Sequence, residues 1–433
     1  MSVDSVEDRT DQVSSSLGPN YWKLWTASGI SNIGDGVLLA ALPILATRIT
    51  DNPASIGLVT TLMTLPWLLV ALPAGALADR VDRRRIMVSS DLVRASLVGA
   101  LACVAAFGEV RMWMLWVLAF GLGVGEVFFD SGSQAVVPDL VADQQLERAN
   151  GMRLSVETAG NTFIGPPLGT VIFAAAAWLP FGVDAASFVV AALLVGSLRL
   201  RSAGPSMRDR ADPTASWRTD IREGARWVKN HRLIRVLILA SVLGNMSFMV
   251  YESTFVLFAT EELGVSERGF GVLLAVIGGG ALLAGMVADR VADRLGRRMA
   301  MLIGAGGPVL ATLAIAAAPV AWWVALMLAV QMMLATTWSI IAISLRQRLV
   351  PSHLYGRVNS LFRFFAYGSM PIGAALGGLL ASVAGLRAPY LASAALMSAA
   401  LLLVIVELRP AVIDAALADA QLPERPAAAD MPQ

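Results

Sequence analysis

Asp35, Glu126, Asp130 and Glu157 are acids set inside long apolar stretches, where an ionisable side chain is costly and marks a working site by default. Asp35 lies about eleven residues into its stretch, roughly 16 Å along a helix and near a bilayer midplane. Asn32, three residues earlier, shares its helix face. A carboxyl group at that depth can take up and release a proton, so Asp35 is the first candidate for proton coupling; the alternative is a packing carboxylate hydrogen-bonded to a neighbouring helix. Glu126 and Asp130 sit one helical turn apart, about 8–15 Å from the end of their stretch, and Asp91 and Arg94 lie at similar depth in another. These acids either pair with Arg94 near an inner gate, through Glu126 or Asp130, or carry protons. Arg153 and Glu157 are spaced i, i+4, so they satisfy each other or Glu157 joins the proton carriers. Arg363, in the inner part of a later stretch, could line a substrate cavity with Asn32 and Asp35. Asp184 and Glu252 lie nearer stretch ends, where solvation is easier, and rank lower.

A different cluster closes an apolar run: "GALADRVDRRR", Gly75 to Arg85, with two acids and four arginines. An inexact copy, "GMVADRVADRLGRR" from Gly285 to Arg298, follows about 210 residues later. Charge so placed fixes which end of a helix stays in the cytoplasm.

The elements that must hold these residues follow from composition. Of 433 residues, 56% are hydrophobic and 15% charged, with a mean hydropathy of +0.66. A soluble protein carries about 25% charge. The apolar runs reach about 20 residues without strict alternation, which selects membrane-spanning helices over barrel strands. Breaks at Gly, Pro and charge give twelve expected spans, near 24–48, 55–78, 86–108, 111–135, 150–176, 179–199, 234–258, 269–289, 299–318, 320–345, 357–383 and 387–408. The expected fold is therefore an all-α polytopic membrane protein with two six-helix bundles, 24–199 and 234–408. Residues 200–233 form a cytoplasmic linker, and 1–23 and 409–433 form disordered tails. Within the linker, "REGARWVKNHRLIR" has the spacing of a helix lying against the membrane, with a regulatory or partner-binding role as the other reading. Arginines crowd the connections after spans two, six, eight and ten, which places both termini in the cytoplasm.

The halves repeat each other. "FIGPPLG" in span five matches "MPIGAALGG" in span eleven at the same offset as the charge knots. Paired halves with Gly/Pro-rich helices are the mark of secondary transporters. Across nearly its full length the chain resembles the major facilitator superfamily, and within it the bacterial branch of multidrug, tetracycline-type and siderophore exporters. The family signature Gly-x-x-x-Asp-Arg-x-Gly-Arg-Arg is matched by Gly75, Asp79, Arg80, Arg83 and Arg84, with Asp82 where the family has Gly. Asp293, Arg294, Gly296, Arg297 and Arg298 fit its charged part in the second half, while Gly285 stands four residues too early.

The resemblance implies that Gly75 lets span eleven approach closely, with Asp79 at that helix's N-terminal end. Arg83, four residues on, can pair with Asp79. Gly75, Asp79, Arg83 and Arg84, with Asp91, Arg94, Asp293 and Arg297, are thus the expected gating residues. Gly165, Pro166 and Gly169 match the superfamily's antiporter element Gly-Pro-x-x-Gly, which implies a bend and export. The expected activity is proton-coupled export of amphiphilic small molecules, whether drug, antibiotic or siderophore, across the cell inner membrane. An importer of nutrients or lysolipids and a membrane receptor or scaffold are the alternatives.

Other chemistry has no sequence support. No ATP-binding loop and no HExxH site occur, and histidine and cysteine are limited to His231, His353 and Cys103. Neither an enzyme, a metal nor a cofactor is expected; the energy source is an ion gradient, most economically protons. Expected partners are a small-molecule substrate and the lipid bilayer. The net charge of +1 identifies no acidic partner, no nucleic acid is expected, and two complete halves make a monomer the default.

Overall fold

In the computed structural model, the described residues are 17–78, 81–142, 145–198, 217–318 and 320–407. Every regular element among them is helical. The first half contains α1 (Pro19–Thr47), α2 (Pro53–Leu69), α3 (Ala71–Ala78), α4 (Arg83–Phe107), α5 (Met112–Leu140), α6 (Leu146–Thr158), α7 (Gly165–Ala175) and α8 (Leu179–Gly196). A connecting helix, α9 (Trp217–Asn230), leads to α10 (Arg232–Glu252), α11 (Phe255–Leu257), α12 (Glu267–Leu295), α13 (Arg297–Ala316), α14 (Ala321–Leu349), α15 (Ser352–Gly368), α16 (Met370–Ala384) and α17 (Ala388–Glu407).

Local chemistry sets the boundaries. Asn52 caps α2 by accepting from the Ala54 and Ser55 amides, and Pro53 follows at the first helical position. Asp82, which replaces a family glycine, caps α4 by accepting from the Arg84 amide at 2.9 Å. Ser266 does the same for α12. Gly296 and Gly385 take φ of 77° and 86° between successive helices, a left-handed turn that glycine adopts without strain.

Ten helical stretches among the described residues are long and apolar enough to cross a membrane. Expected spans two and five are not among them because each is broken. Pro73 cannot donate to the Leu69 carbonyl, so α2 stops and α3 begins one residue later. Pro166 and Pro167 likewise lack amide donors, and the helix widens into a π turn, Ala159–Ile164, before α7. Two boundaries also move, and the linker contains a helix. α1 begins at Pro19 rather than 24, because Tyr21 and Leu24 are buried and the Tyr21 hydroxyl donates to Ala149 O at 2.8 Å. The linker is helical over Trp217–Asn230, and the second bundle opens at Arg232. The expected tails lie mostly outside the described residues.

The helices run up and down, so both described ends of the chain lie at one face, here the terminal face. Lys23 reaches Ser197 O there, and Arg232 bonds Glu407. At the opposite, distal face Arg48 forms a double hydrogen bond with Glu267 (2.7 and 2.8 Å), and Arg387 pairs with Glu262. Apolar side chains such as Val171, Leu193, Leu310 and Val383 stand exposed on the outside, a surface that suits lipid.

The buried core is asymmetric along the axis. One apolar cluster joins both halves on the distal side, from Leu38, Ile44 and Phe188 through Phe255, Phe258 and Tyr390. Toward the terminal face it divides into two, one around Tyr21, Met87 and Val136, the other around Leu237, Leu345 and Val358. Glycines make the distal join close. A Cβ on Gly57 of α2 would lie 2.8 Å from Gly378 Cα of α16, and one on Gly271 of α12 would meet Thr170 of α7 at 2.0 Å. The two contacts are repeat partners, each four residues into its helix.

Candidate functional site

The acids of the first half converge on Arg94. This side chain is 3% exposed and crosses α5 where Gly125 has no side chain; a Cβ there would come within 2.6 Å of Arg94 Cγ. Its guanidinium lies over the rings of Phe188 (4.2 Å) and Phe129 (5.0 Å). It donates to Asp91 at 2.5 Å and stands 3.9 Å from Asp35. Asp184, on α8, is fully buried nearby. Gly34 gives it room, since a Cβ there would be 2.5 Å from Asp184 Oδ1. Glu126 and Asp184 both act electrostatically on this group. Four carboxyl groups thus share one guanidinium. Uncompensated charge is costly in a low-dielectric interior, so this excess of acid marks the group as a candidate working site. One oxygen each of Asp91 and Asp184, and Arg94 Nε, have no hydrogen-bond partner among the described residues.

Asp35 and Glu126 open onto a cavity of about 240 Å³, completed by Leu39, Met63, Asn161 and Thr162. The last two come from the π turn of the broken helix, so the break places polar groups in the cavity wall. Asn161 donates to Asn32 Oδ1 at 3.3 Å, and Asn32 donates to Ser28 O at 2.7 Å.

Asp130 does not join this group. It accepts from Arg363 at 2.5 Å, across the two halves. Gln134 donates to both Asp130 oxygens at 2.9 and 2.8 Å, and itself accepts from Arg363 at 2.6 Å. Arg153 stands 3.9 Å from Asp130 and donates to Glu157 at 3.2 Å. Trp67 and Tyr367 pack beside the bridge with ring centroids 5.1 Å apart.

Several sequence expectations change. Arg94 pairs directly with Asp91 and Asp35 and interacts electrostatically with Glu126, while Asp130 is held by Arg363. Arg363, on α15, closes a bridge between the halves to Asp130 and Gln134 of α5, and is not among the residues that line the cavity beside Asp35. Among the described residues, nothing lies within 4 Å of a Cβ built on Gly75. Arg83 donates to Asp139 at 2.5 Å, and Arg84 to the Gly196 and Leu198 carbonyls. Asp79 and Arg80 lie outside the described residues, as do the side chains of Asp293 and Arg297. Gly165 and Gly169 pack on Gly36 and Val37 of α1. The contact of this bent segment with α12 comes instead from Thr162 and Thr170.

Asn161, Thr162 and Gln134 carry no sequence signal that marks them, and Asp184, ranked low for easier solvation, is fully buried. Asn161 is a neutral residue in a run whose helical register slips by one, so no periodicity marks it. Asp184 had a signal: the glycine pair in "NIGDG" is the kind that admits a close neighbour.

The model of the Major Facilitator Superfamily matches residues 24–374 and 237–428. The chain is 30% identical over 367 residues to the multidrug efflux pump Tap of Mycolicibacterium fortuitum, covering 83% of this chain and 88% of that protein. It is 24% identical over 279 residues to macrolide efflux protein A of Streptococcus pyogenes, covering 62% and 67%. Among solved structures, a bacterial homologue of the iron transporter ferroportin in an inward-facing state superposes with a TM-score of 0.67 at 18% identity, over 90% of this chain and 99% of that one. A bacterial homologue of the lysosomal transporter Spinster, inward-facing and occupied, gives 0.70 at 14% identity, over 94% and 98%. Matched motifs in two halves, a match along most of the sequence and this shared architecture have one explanation: the chain belongs to the Major Facilitator Superfamily.

Proposed function

We propose that this transporter exports amphiphilic small molecules across the cell membrane by proton antiport and alternating access. The excess of carboxyl groups around Arg94, at the wall of a mid-depth cavity, carries the proposal. Asp35 and Glu126 are reached from the cavity, so substrate and proton compete for the same groups. The names of the efflux relatives support export. Positive charge at the terminal face supports a cytoplasmic position for both termini, and the chain itself supplies no cofactor chemistry beyond the gradient. Reading the two broken stretches as spans gives twelve.

The distal face is then the outside. Its joined core and glycine contacts hold it shut, and the divided core beneath leaves the cavity to be loaded from the cytoplasm. Gly75, Asp79 and Arg83 form the latch of the opposite state, engaged when the terminal face closes; the open space beside Gly75 fits a latch undone. Asp79→Asn is expected to insert normally in the membrane and lose transport. Normal efflux by this variant removes Asp79 from the mechanism.

A panel of amphiphilic dyes and antibiotics tested for susceptibility in a pump-deficient host identifies a substrate. Energised inside-out vesicles should then accumulate that compound and lose part of their internal acidity when it is added. Asp35→Asn should lose both effects while retaining binding to within a few-fold. Accumulation without any proton movement contradicts antiport, and exclusion of the compound contradicts export.

A further inference from the structure

The helix between the halves presents a surface that transport leaves unassigned. α9 turns one face to α15. Gly224 is buried there, and a Cβ on it would lie 3.2 Å from both Arg357 Cβ and Leu361 Cδ1. Trp227 and Val228 pack on the apolar cluster of the second half. Glu223 accepts from Arg357 at 2.5 Å. The end of the helix is fixed by His231, which stacks on Trp227 at 3.6 Å with Nδ1 2.7 Å from Trp227 O.

On the opposite face Arg222, Arg226 and Lys229 are exposed. Their spacing, i, i+4 and i+7, puts them in one stripe pointing away from the protein. The Lys229 carbonyl accepts from Arg235, but none of the three side chains has a hydrogen bond or ion pair among the described residues. α9 ends at Asn230 and the membrane-spanning α10 opens at Arg232, so the stripe lies where the spans leave the bilayer.

We infer that Arg222, Arg226 and Lys229 dock on the phosphate headgroups of anionic lipids in the leaflet at the terminal face. Charge complementarity selects this occupant. Guanidinium groups match phosphate oxygens in pairs, and basic residues at headgroup depth are drawn to an anionic leaflet. The opposite face of α9 is already committed to protein, so the stripe is left for the surroundings. The contact has reach: α9 is seated at Arg357, less than two turns before Arg363 on the same helix. A leaflet that grips α9 therefore steadies the helix that bridges to Asp130.

The test uses the full chain with Cys103→Ser and a fluorophore on Ala225→Cys, beside the stripe. The protein is placed in phosphatidylcholine vesicles containing phosphatidylglycerol or phosphatidylcholine that carries a nitroxide near the headgroup. At equal mole fraction, the phosphatidylglycerol probe should quench about twofold more, and the preference should fade in about 1 M salt. The triple variant Arg222→Gln, Arg226→Gln, Lys229→Gln should quench equally with both lipids. A variant with lysine at 222 and 226 should keep the preference, which separates lost charge from lost folding. Equal quenching in the parent, or an unchanged preference in the triple variant, overturns the proposal. So does a preference that appears only when residues 408–433 are removed, which would make the chain's own acidic tail the occupant.

Discussion

Arg94 works because of what its neighbours lack. Gly125 clears a path across α5, two aromatic faces take the guanidinium, and four carboxyl groups compete for it. The presence of these ions in apolar runs was legible in the sequence, since each is costly there. Their partners were not, because pairing depends on which helix faces converge. Asp130 illustrates the limit: depth alone allowed Arg94, and the fold supplied Arg363. That bridge gives a residue-scale prediction. Asp130→Asn and Arg363→Gln should each lower the thermal midpoint in detergent, and the double variant should lose less than the sum. A coupling of about 0.5–3 kcal/mol is expected for residues in direct contact; additive losses would make the bridge incidental.

Helix breaks, at the scale of elements, place chemistry that intact helices would hide. The Pro166–Pro167 pair was legible as a bend, but the π turn that carries Asn161 and Thr162 into the cavity was not, because register slips leave no sequence period. Likewise "GALADRVDRRR" was legible as charge at a helix end, while the role of Asp82 as a cap for α4 needed the backbone. The glycine contact between α2 and α16 is testable. Gly57→Leu forces the helices apart, at a cost of about 1–3 kcal/mol to the state with its distal face shut. In a Cys103→Ser background, Ala54→Cys should then react faster with a membrane-impermeant maleimide added outside. Unchanged labelling would show that the closure does not rest on this contact.

For the whole molecule, the two-half plan was readable from the repeat, because matched motifs recur at one offset. The state of the molecule was not, since under the proposed alternating access one sequence supports both states. What distinguishes them is the core, shared by the halves on the distal side and divided on the other. A joint of packed hydrocarbon is also an electrical insulator. In the proposed antiport, a proton held at Asp35 or Glu126 faces that packed apolar joint on its way outward, and parting it exposes apolar surface at about 25 cal/mol per Å². Resting vesicles that contain the protein should therefore hold a pH gradient about as long as empty ones, as read by an entrapped pH dye. Wedging the joint with Gly57→Leu should turn the carrier into a slow proton leak.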